Sequence, residues 1–309
     1  MRKILLIINP AAGMAKKKLH IFRTADWFRE KGFTVAVMTT SKKGDAEDFV
    51  RRYAEQNDII VCCGGDGTLN EVISGLMRFG FHNPVGYLPA GTTNDMARTL
   101  HLPTGIGKAA KVVVSEAPVP QDVGCFNGTQ YFTYIASFGA FTQVSYGTPQ
   151  RLKNIFGHFA YVLDGIRSVG DIRPCRVKVF RDGSGECEEG DFIFGSVSNS
   201  SSIGGVLHLS SSQVSLNDGA FEVLLIRNPP NLIEFQKMLH DIRRRNFGNS
   251  LIEFFHTGEI RFVFEKETDW TVDGEYAGKP SEVEIKNLHG AVSIIRREKK
   301  AERTQEAQP

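Results

Sequence analysis

Several short stretches of this chain combine residue types that do chemistry together. Residues 64–71 read Gly-Gly-Asp-Gly-Thr-Leu-Asn-Glu and follow the apolar run Ile59-Ile60-Val61-Cys62-Cys63. A buried strand running into such a turn and then a helix reads as a phosphate cradle or, taken alone as a glycine-rich loop, as a structural turn. Gly64, Gly65 and Gly67 tolerate backbone angles closed to other residues, and their N–H groups can converge on an anion. A helix starting near Thr68 adds its positive dipole end. Asp66 is the anomaly, because a carboxylate among phosphate binders repels them unless a cation stands between. The turn therefore predicts Mg²⁺ bridging nucleotide oxygens.

Four further stretches invite a chemical reading. Pro89-Ala90-Gly91-Thr92-Thr93-Asn94-Asp95 offers Thr93 or Asn94 as a helix N-cap and leaves Thr92 for a phosphate or ribose. Asn9-Pro10-Ala11-Ala12-Gly13 ends the first apolar run, and Thr40 follows the second. In residues 215–221, Asn217-Asp218-Gly219 reads as a β-turn before a strand, or as a Mg²⁺ site built from the Asp218 carboxylate and backbone carbonyls. Val272-Asp273-Gly274-Glu275 reads as a type I′ hairpin turn, or as the source of a carboxylate that accepts a proton from an attacking hydroxyl. The sequence does not choose between Asp273 and Glu275.

These stretches need elements to position them. The expected strands cover residues 4–8, 33–38, 59–63 and 85–88, alternating with helices over 16–31, 46–56 and 69–78. That alternation predicts an α/β fold with a parallel sheet covered on both faces. Ligands of such sheets sit outside the carboxyl ends of the strands, and the Asn9, Gly64 and Pro89 turns all fall there. After about residue 123 the pattern changes. Short strands are expected at 132–137, 176–180, 192–198, 221–226, 260–264, 270–272, 283–285 and 292–295, with helical pieces at 152–168 and 232–243. Leu232, Phe235, Leu239 and Ile242 form an apolar stripe suited to a core. Many strands with few helices predict a mainly antiparallel β-sandwich domain.

Composition narrows the class. The chain has 309 residues, enough for two domains, and is 41% hydrophobic and 23% charged. A net charge of +2 gives no reason to expect a nucleic-acid partner. Local basic clusters at Lys16–Lys18, Arg243–Arg245, and Arg296, Arg297, Lys299 and Lys300 suit solvated surface or an anionic membrane face. Five unpatterned cysteines fit reduced thiols. No signal peptide and no run of about 18–20 apolar residues is present, so a cytoplasmic protein is expected. Also missing are a G-x-x-x-x-G-K-[ST] loop, the H-R-D and D-F-G motifs of protein kinases, and a zinc-type His/Cys set.

Four motifs in order, Asn9-Pro10-x-x-Gly13, Gly64-Gly65-Asp66-Gly67-Thr68-Leu69-Asn70-Glu71, Pro89-x-Gly91-Thr92-x-Asn94-Asp95 and Asp273-Gly274-Glu275, resemble the bacterial lipid kinases of the diacylglycerol kinase catalytic-domain superfamily, relatives of the sphingosine kinases. The resemblance implies a phosphofructokinase-like nucleotide domain over residues 1–123, a β-rich lipid-acceptor domain over 124–296 and a charged tail, 297–309, returning to the first domain. It implies ATP held by Asn9, Pro10, Ala11, Ala12, Gly13, Thr40, Gly64, Gly65, Asp66, Gly67, Thr68, Leu69, Asn70 and Thr92. It further implies structural Mg²⁺ at Ser215, Asp218 and Ala220, and catalysis by Asp66 with Asp273 or Glu275. The acceptor would be diacylglycerol or a related lipid alcohol, reached by transient contact with the inner face of the membrane. A homodimer is compatible with this plan. Two rivals share features: an NAD kinase, which has the Gly-Gly-Asp-Gly-Thr turn but not the Pro89–Asp95 pattern, and a non-catalytic nucleotide- or lipid-binding regulator. Met96 stands where the family usually has an aromatic, and Asp45 where a His is common.

Overall fold

The apolar runs of the first ninety residues become a parallel sheet. β1 (Lys3–Ile8), β2 (Thr34–Thr39), β3 (Ile59–Gly64) and β4 (Val85–Pro89) lie in the order β2-β1-β3-β4. Each neighbouring pair is parallel. β17 (Glu282–Ile295) ends alongside β4, with Ile294 opposite Val85. This computed structural model describes residues 1–12, 18–92, 94–139, 173–182, 187–199, 202–203, 207–208, 216–244 and 246–298. The expected helix at 152–168 lies outside the described residues. Two units are distinguished: Met1–Val123 together with the chain from Gly290 onward, and Gly124–His289.

The helices of the first unit are α1 (Lys18–Glu30), α2 (Asp45–Tyr53), α3 (Asp66–Phe79), α4 (Asp95–Thr99) and α5 (Ile106–Ser115). One face of the sheet buries Ile4, Leu6, Ile8, Val61 and Cys63 against Phe28 of α1 and Val113 of α5. α2 and α3 pack against each other, and α3 against β3. α3 starts at Asp66, three residues before the expected position, and ends at Gly80, whose φ of 69° allows the left-handed stop. α5 was not expected from the sequence. Its Val112-Val113-Val114 run favours strand, yet Ile106, Ala109, Ala110 and Val113 are buried at helical spacing.

The second unit is antiparallel. The chain enters it along β5 (Pro118–Phe126), then forms β6 (Gln130–Phe132), β7 (Ile135–Gly139), β8 (Cys175–Arg181) and β9 (Cys187–Ser198). β10 (Ser202–Ile203) and β11 (Leu207–His208) pair only with each other. β12 (Phe221–Arg227), α6 (Leu232–Arg244), β13 (Ile252–Thr257), β14 (Glu259–Phe264), β15 (Trp270–Val272) and β16 (Glu275–Gly278) follow. The strand order is β16-β15-β7-β9-β8-β14-β17, with β12 and β13 branching from β9. β9 makes this possible: residues 187–192 pair with β8 and residues 194–198 with β7. The strands thus close around one core that includes Phe138, Val177, Phe192, Val223, Phe262, Trp270 and Ile285. β17 is a single strand where two short ones were expected, because Lys286-Asn287-Leu288-His289-Gly290 interrupts the apolar pattern without interrupting the backbone.

Aromatic rings dominate that core. Phe138 lies 4.9 Å from both Phe264 and Trp270, and 5.5 Å from Phe262, centroid to centroid. Phe138→Ala should destabilise the protein by about 3–5 kcal/mol, read as a lowered urea midpoint by far-UV circular dichroism. A loss below about 1 kcal/mol would show that the ring cluster is not what holds this unit.

Candidate active site

The register of the parallel sheet brings the first unit's glycine turns to one edge. Ile8 pairs with Thr39 and Cys63, and Gly64 with Pro89, so Asn9, Thr40, Gly65 and Ala90 all leave strands at the same level. Backbone bonds continue past the strand ends: Asn9 N–H donates to the Cys63 carbonyl (2.9 Å), Thr40 N–H to Ile8 (2.9 Å) and Ala90 N–H to Gly64 (2.7 Å). The Asn9 side chain ties two turns together. Its Oδ1 accepts the Ala11 N–H at 3.0 Å, and its Nδ2 donates to Thr68 Oγ1 at 3.0 Å. Gly13 lies outside the described residues.

The Gly64 turn meets the Pro89–Asp95 turn in backbone contact. A Cβ on Gly91 would sit 2.6 Å from the Cα of Gly65, so glycine is obligatory there. No side chain caps α3 at Gly65, so the first N–H groups of this helix are not spent on an N-cap. Gly67 and Thr92 are exposed, whereas Thr68 and Leu69 are buried. Leu69 can therefore offer a ligand only its backbone. Asn70 Oδ1 accepts the Ser74 hydroxyl at 3.1 Å.

Asp66 does structural work that its sequence neighbours do not reveal. Its Oδ2 accepts the Asp95 N–H at 2.9 Å, and its Oδ1 accepts the Met96 N–H at 3.1 Å. The carboxylate thereby caps α4 from 29 residues away. Asn94 occupies the cap position but in left-handed conformation, φ 53° and ψ 53°, and its side chain makes no cap bond. The expected local cap is thus replaced by a distant one, and Thr93 lies outside the described residues. Burial holds the Asp66 carboxyl above the usual carboxylate range, against the opposing pull of its N–H donors and Arg98. Sequence reading also missed Tyr87. Its hydroxyl lies 3.3 Å from Asp66 Oδ1, and the one signal was a phenol in an otherwise aliphatic strand.

Beyond β2, Asp45 Oδ2 accepts from Ser41 N–H (2.7 Å), Ser41 Oγ (2.8 Å) and Lys42 N–H (3.0 Å), which shapes the turn after Thr40. The Ser41 backbone bond leads the interactions that hold this carboxyl below its ordinary range.

In the second unit the structure separates the two candidate carboxylates. Asp273 and Gly274 both have positive φ, 45° and 81°, as a type I′ turn requires. Asp273 Oδ1 accepts the N–H groups of Tyr134 (3.0 Å) and Ile135 (2.9 Å); Oδ2 accepts Thr133 N–H (2.9 Å) and its hydroxyl (3.4 Å). Three backbone N–H groups and one hydroxyl tie this carboxylate into the turn. Glu275, the first residue of β16, is exposed.

The Asp218 turn also forms, with Gly219 at φ 76° and the Ala220 N–H donating to Asp218 Oδ1 at 3.1 Å. Asp218 is exposed, and Ser215 lies outside the described residues. Carboxylate and carbonyl oxygens are the donors a hard divalent cation takes. Among the basic clusters, Arg296 departs from expectation. It is only 2% exposed, because its backbone still lies beside Ala117 at the end of β17. Lys16, Lys17, Arg245, Lys299 and Lys300 lie outside the described residues. Among the described residues no helix is long and apolar enough to cross a membrane.

Comparison with known proteins places this geometry in a family. Residues 3–126 match the diacylglycerol kinase catalytic domain. The diacylglycerol kinase of Bacillus subtilis strain 168 is 32% identical over 306 residues, covering 98% of this chain and 99% of that one. The diacylglycerol kinase of Staphylococcus saprophyticus is 32% identical over 276 residues, 89% of each. The crystal structure of a diacylglycerol kinase from Bacillus anthracis strain Sterne superposes with a TM-score of 0.73 at 25% identity, covering 96% of this chain and 97% of that chain. A second solved chain from that strain reaches 0.79 at 27% identity with the same coverage. With 32% identity to a relative over nearly the full length of both chains, this chain belongs to the diacylglycerol kinase family.

Proposed function

We propose that this protein is an ATP-dependent lipid kinase that transfers the γ-phosphate of ATP to the hydroxyl of diacylglycerol or a closely related lipid alcohol. One observation carries the reading: two glycine turns lie against each other at the carboxyl edge of the parallel sheet, and Asp66 of one caps the helix of the other. In this reading the Gly64–Asn70 turn, at the N-terminus of α3, and the Asn9–Gly13 turn hold the phosphates, Thr40 reaches the nucleoside and Thr92 the phosphate chain. Asp66 orients these groups and balances the cation that accompanies the nucleotide. Glu275 takes the proton of the acceptor hydroxyl, and Asp273 holds the hairpin that presents it. Most of the rate comes from position and charge neutralisation.

Asp218, with the carbonyls of Ser215 and Ala220, is the set that would hold Mg²⁺. When bound there, the ion supplies fixed positive charge and rigidity to the turn before β12. Asp218→Ala should raise the Mg²⁺ concentration for half-maximal activity about tenfold while leaving the lipid KM alone. An unchanged Mg²⁺ dependence would remove Asp218 from the site.

The protein works at the cytoplasmic face of the membrane as a peripheral protein, alone or as a homodimer. The relatives named diacylglycerol kinase favour a lipid acceptor over NAD, as does the Pro89–Asp95 pattern. The test is ADP release with Mg²⁺ when the protein meets diacylglycerol in mixed micelles or NAD in solution. Release driven by the micelles supports the proposal; release driven by NAD alone replaces it, and nucleotide binding without release in either case favours a regulator.

A further inference from the structure

Tyr87 stands on β4 with 1% of its surface exposed. Its hydroxyl faces two acceptors, Asp66 Oδ1 at 3.3 Å and Asn94 Oδ1 at 3.4 Å. The identity of the second acceptor is fixed, because Asn94 Nδ2 donates to the Gly91 carbonyl at 2.9 Å and so turns Oδ1 toward the phenol. One phenolic proton is thus shared between the first residue of α3 and the last residue before α4. Each acceptor belongs to a different glycine turn. The same turns touch at Gly65 and Gly91 and are joined by the Ala90 N–H bond to Gly64 and by Asp66 at the start of α4; the phenol adds a bond that holds the Asp66 and Asn94 side chains in that arrangement. A buried polar group that loses its partner is penalised far more than an exposed one, so the shared proton favours the arrangement that those bonds set.

We propose that Tyr87 is a positioning residue for nucleotide binding, whose hydroxyl locks the Gly64–Thr68 turn to the Gly91–Asn94 turn through Asp66 and Asn94. This rests on the assignment of both turns to the nucleotide. Tyr87 touches no substrate; it acts through the two side chains it holds. Its ring fills the sheet interior, and only the oxygen does the locking, so Tyr87→Phe removes the function with little change of volume.

Binding of ADP with Mg²⁺, followed by calorimetric titration, tests the idea without any acceptor. Tyr87→Phe should weaken binding about tenfold. Asn94→Gly keeps the left-handed backbone, deletes the other acceptor, and should weaken binding to a similar degree. In an Asn94→Gly background the effect of Tyr87→Phe should fall well short of tenfold, since one of the hydroxyl's two acceptors is already gone. With lipid present, the ATP KM should rise while the lipid KM stays fixed. A variant that melts earlier but binds ADP as tightly as the parent protein would overturn the proposal, and so would full additivity in the cycle. If the parent protein binds ADP but transfers no phosphate to lipid, the kinase reading fails while the titration still decides on Tyr87.

Discussion

Replacing Glu275 with Gln should lower turnover by about 10²–10⁴-fold, the usual contribution of a positioned general base, while ATP binding stays within about twofold. The expectation follows from what the neighbouring carboxylate is doing. Asp273 accepts three backbone N–H groups at 2.9–3.0 Å and a hydroxyl at 3.4 Å. Taking up a proton would break that set, so it is a poor acceptor for an incoming alcohol. Glu275 is exposed on the adjoining strand. Asp273→Asn should therefore behave differently. An amide cannot accept from all four donors, the hairpin loosens, and the main loss appears as a lower melting temperature together with reduced activity. Single-turnover kinetics and thermal melts on both variants separate the cases. Equal turnover loss with no change in melting for Asp273→Asn would assign the base to Asp273 instead.

The second large effect is expected at Gly91. An alanine Cβ would lie 2.6 Å from Gly65 Cα and 2.8 Å from Asn94 Oδ1. The first of these is backbone and cannot rotate away, so the two turns must separate. Overpacking of this kind costs about 1–3 kcal/mol. Since the displaced groups are those proposed to hold the nucleotide, the loss should appear as about 10- to 100-fold weaker ATP binding. Gly107→Ala is a suitable control, because nothing lies within 4 Å of its added Cβ. Unimpaired ATP affinity in Gly91→Ala would detach the second turn from the nucleotide site.

How much of this was readable beforehand depended on range. The buried run Ile59–Cys63 and the three glycines after it announced a strand, a turn and a helix, because those signals are local. The hairpin at Asp273-Gly274 was legible for the same reason. What stayed hidden involved residues far apart in the chain. Asp66 caps α4 across 29 residues, so local reading assigned the cap to Thr93 or Asn94. The hydrogen bonds that tie down Asp273, and on which the proposed choice of Glu275 rests, come from Thr133–Ile135, about 140 residues upstream. α5 was missed because its valines favour strand, and only packing on β4 and α1 makes it helical. The continuity of β17 was missed because polar residues interrupt its pattern where burial is incomplete.

In the proposed mechanism the clasped glycine turns and Glu275 serve phosphoryl transfer to a lipid alcohol. The most direct test follows label from γ-labelled ATP into diacylglycerol in mixed micelles with Mg²⁺, with the product lipid identified by mass. The parent protein should form phosphatidate and Glu275→Gln almost none, with both binding ATP equally. Absence of phosphatidate from the parent protein, at ATP concentrations shown to saturate it, would rule out phosphorylation of diacylglycerol by this site.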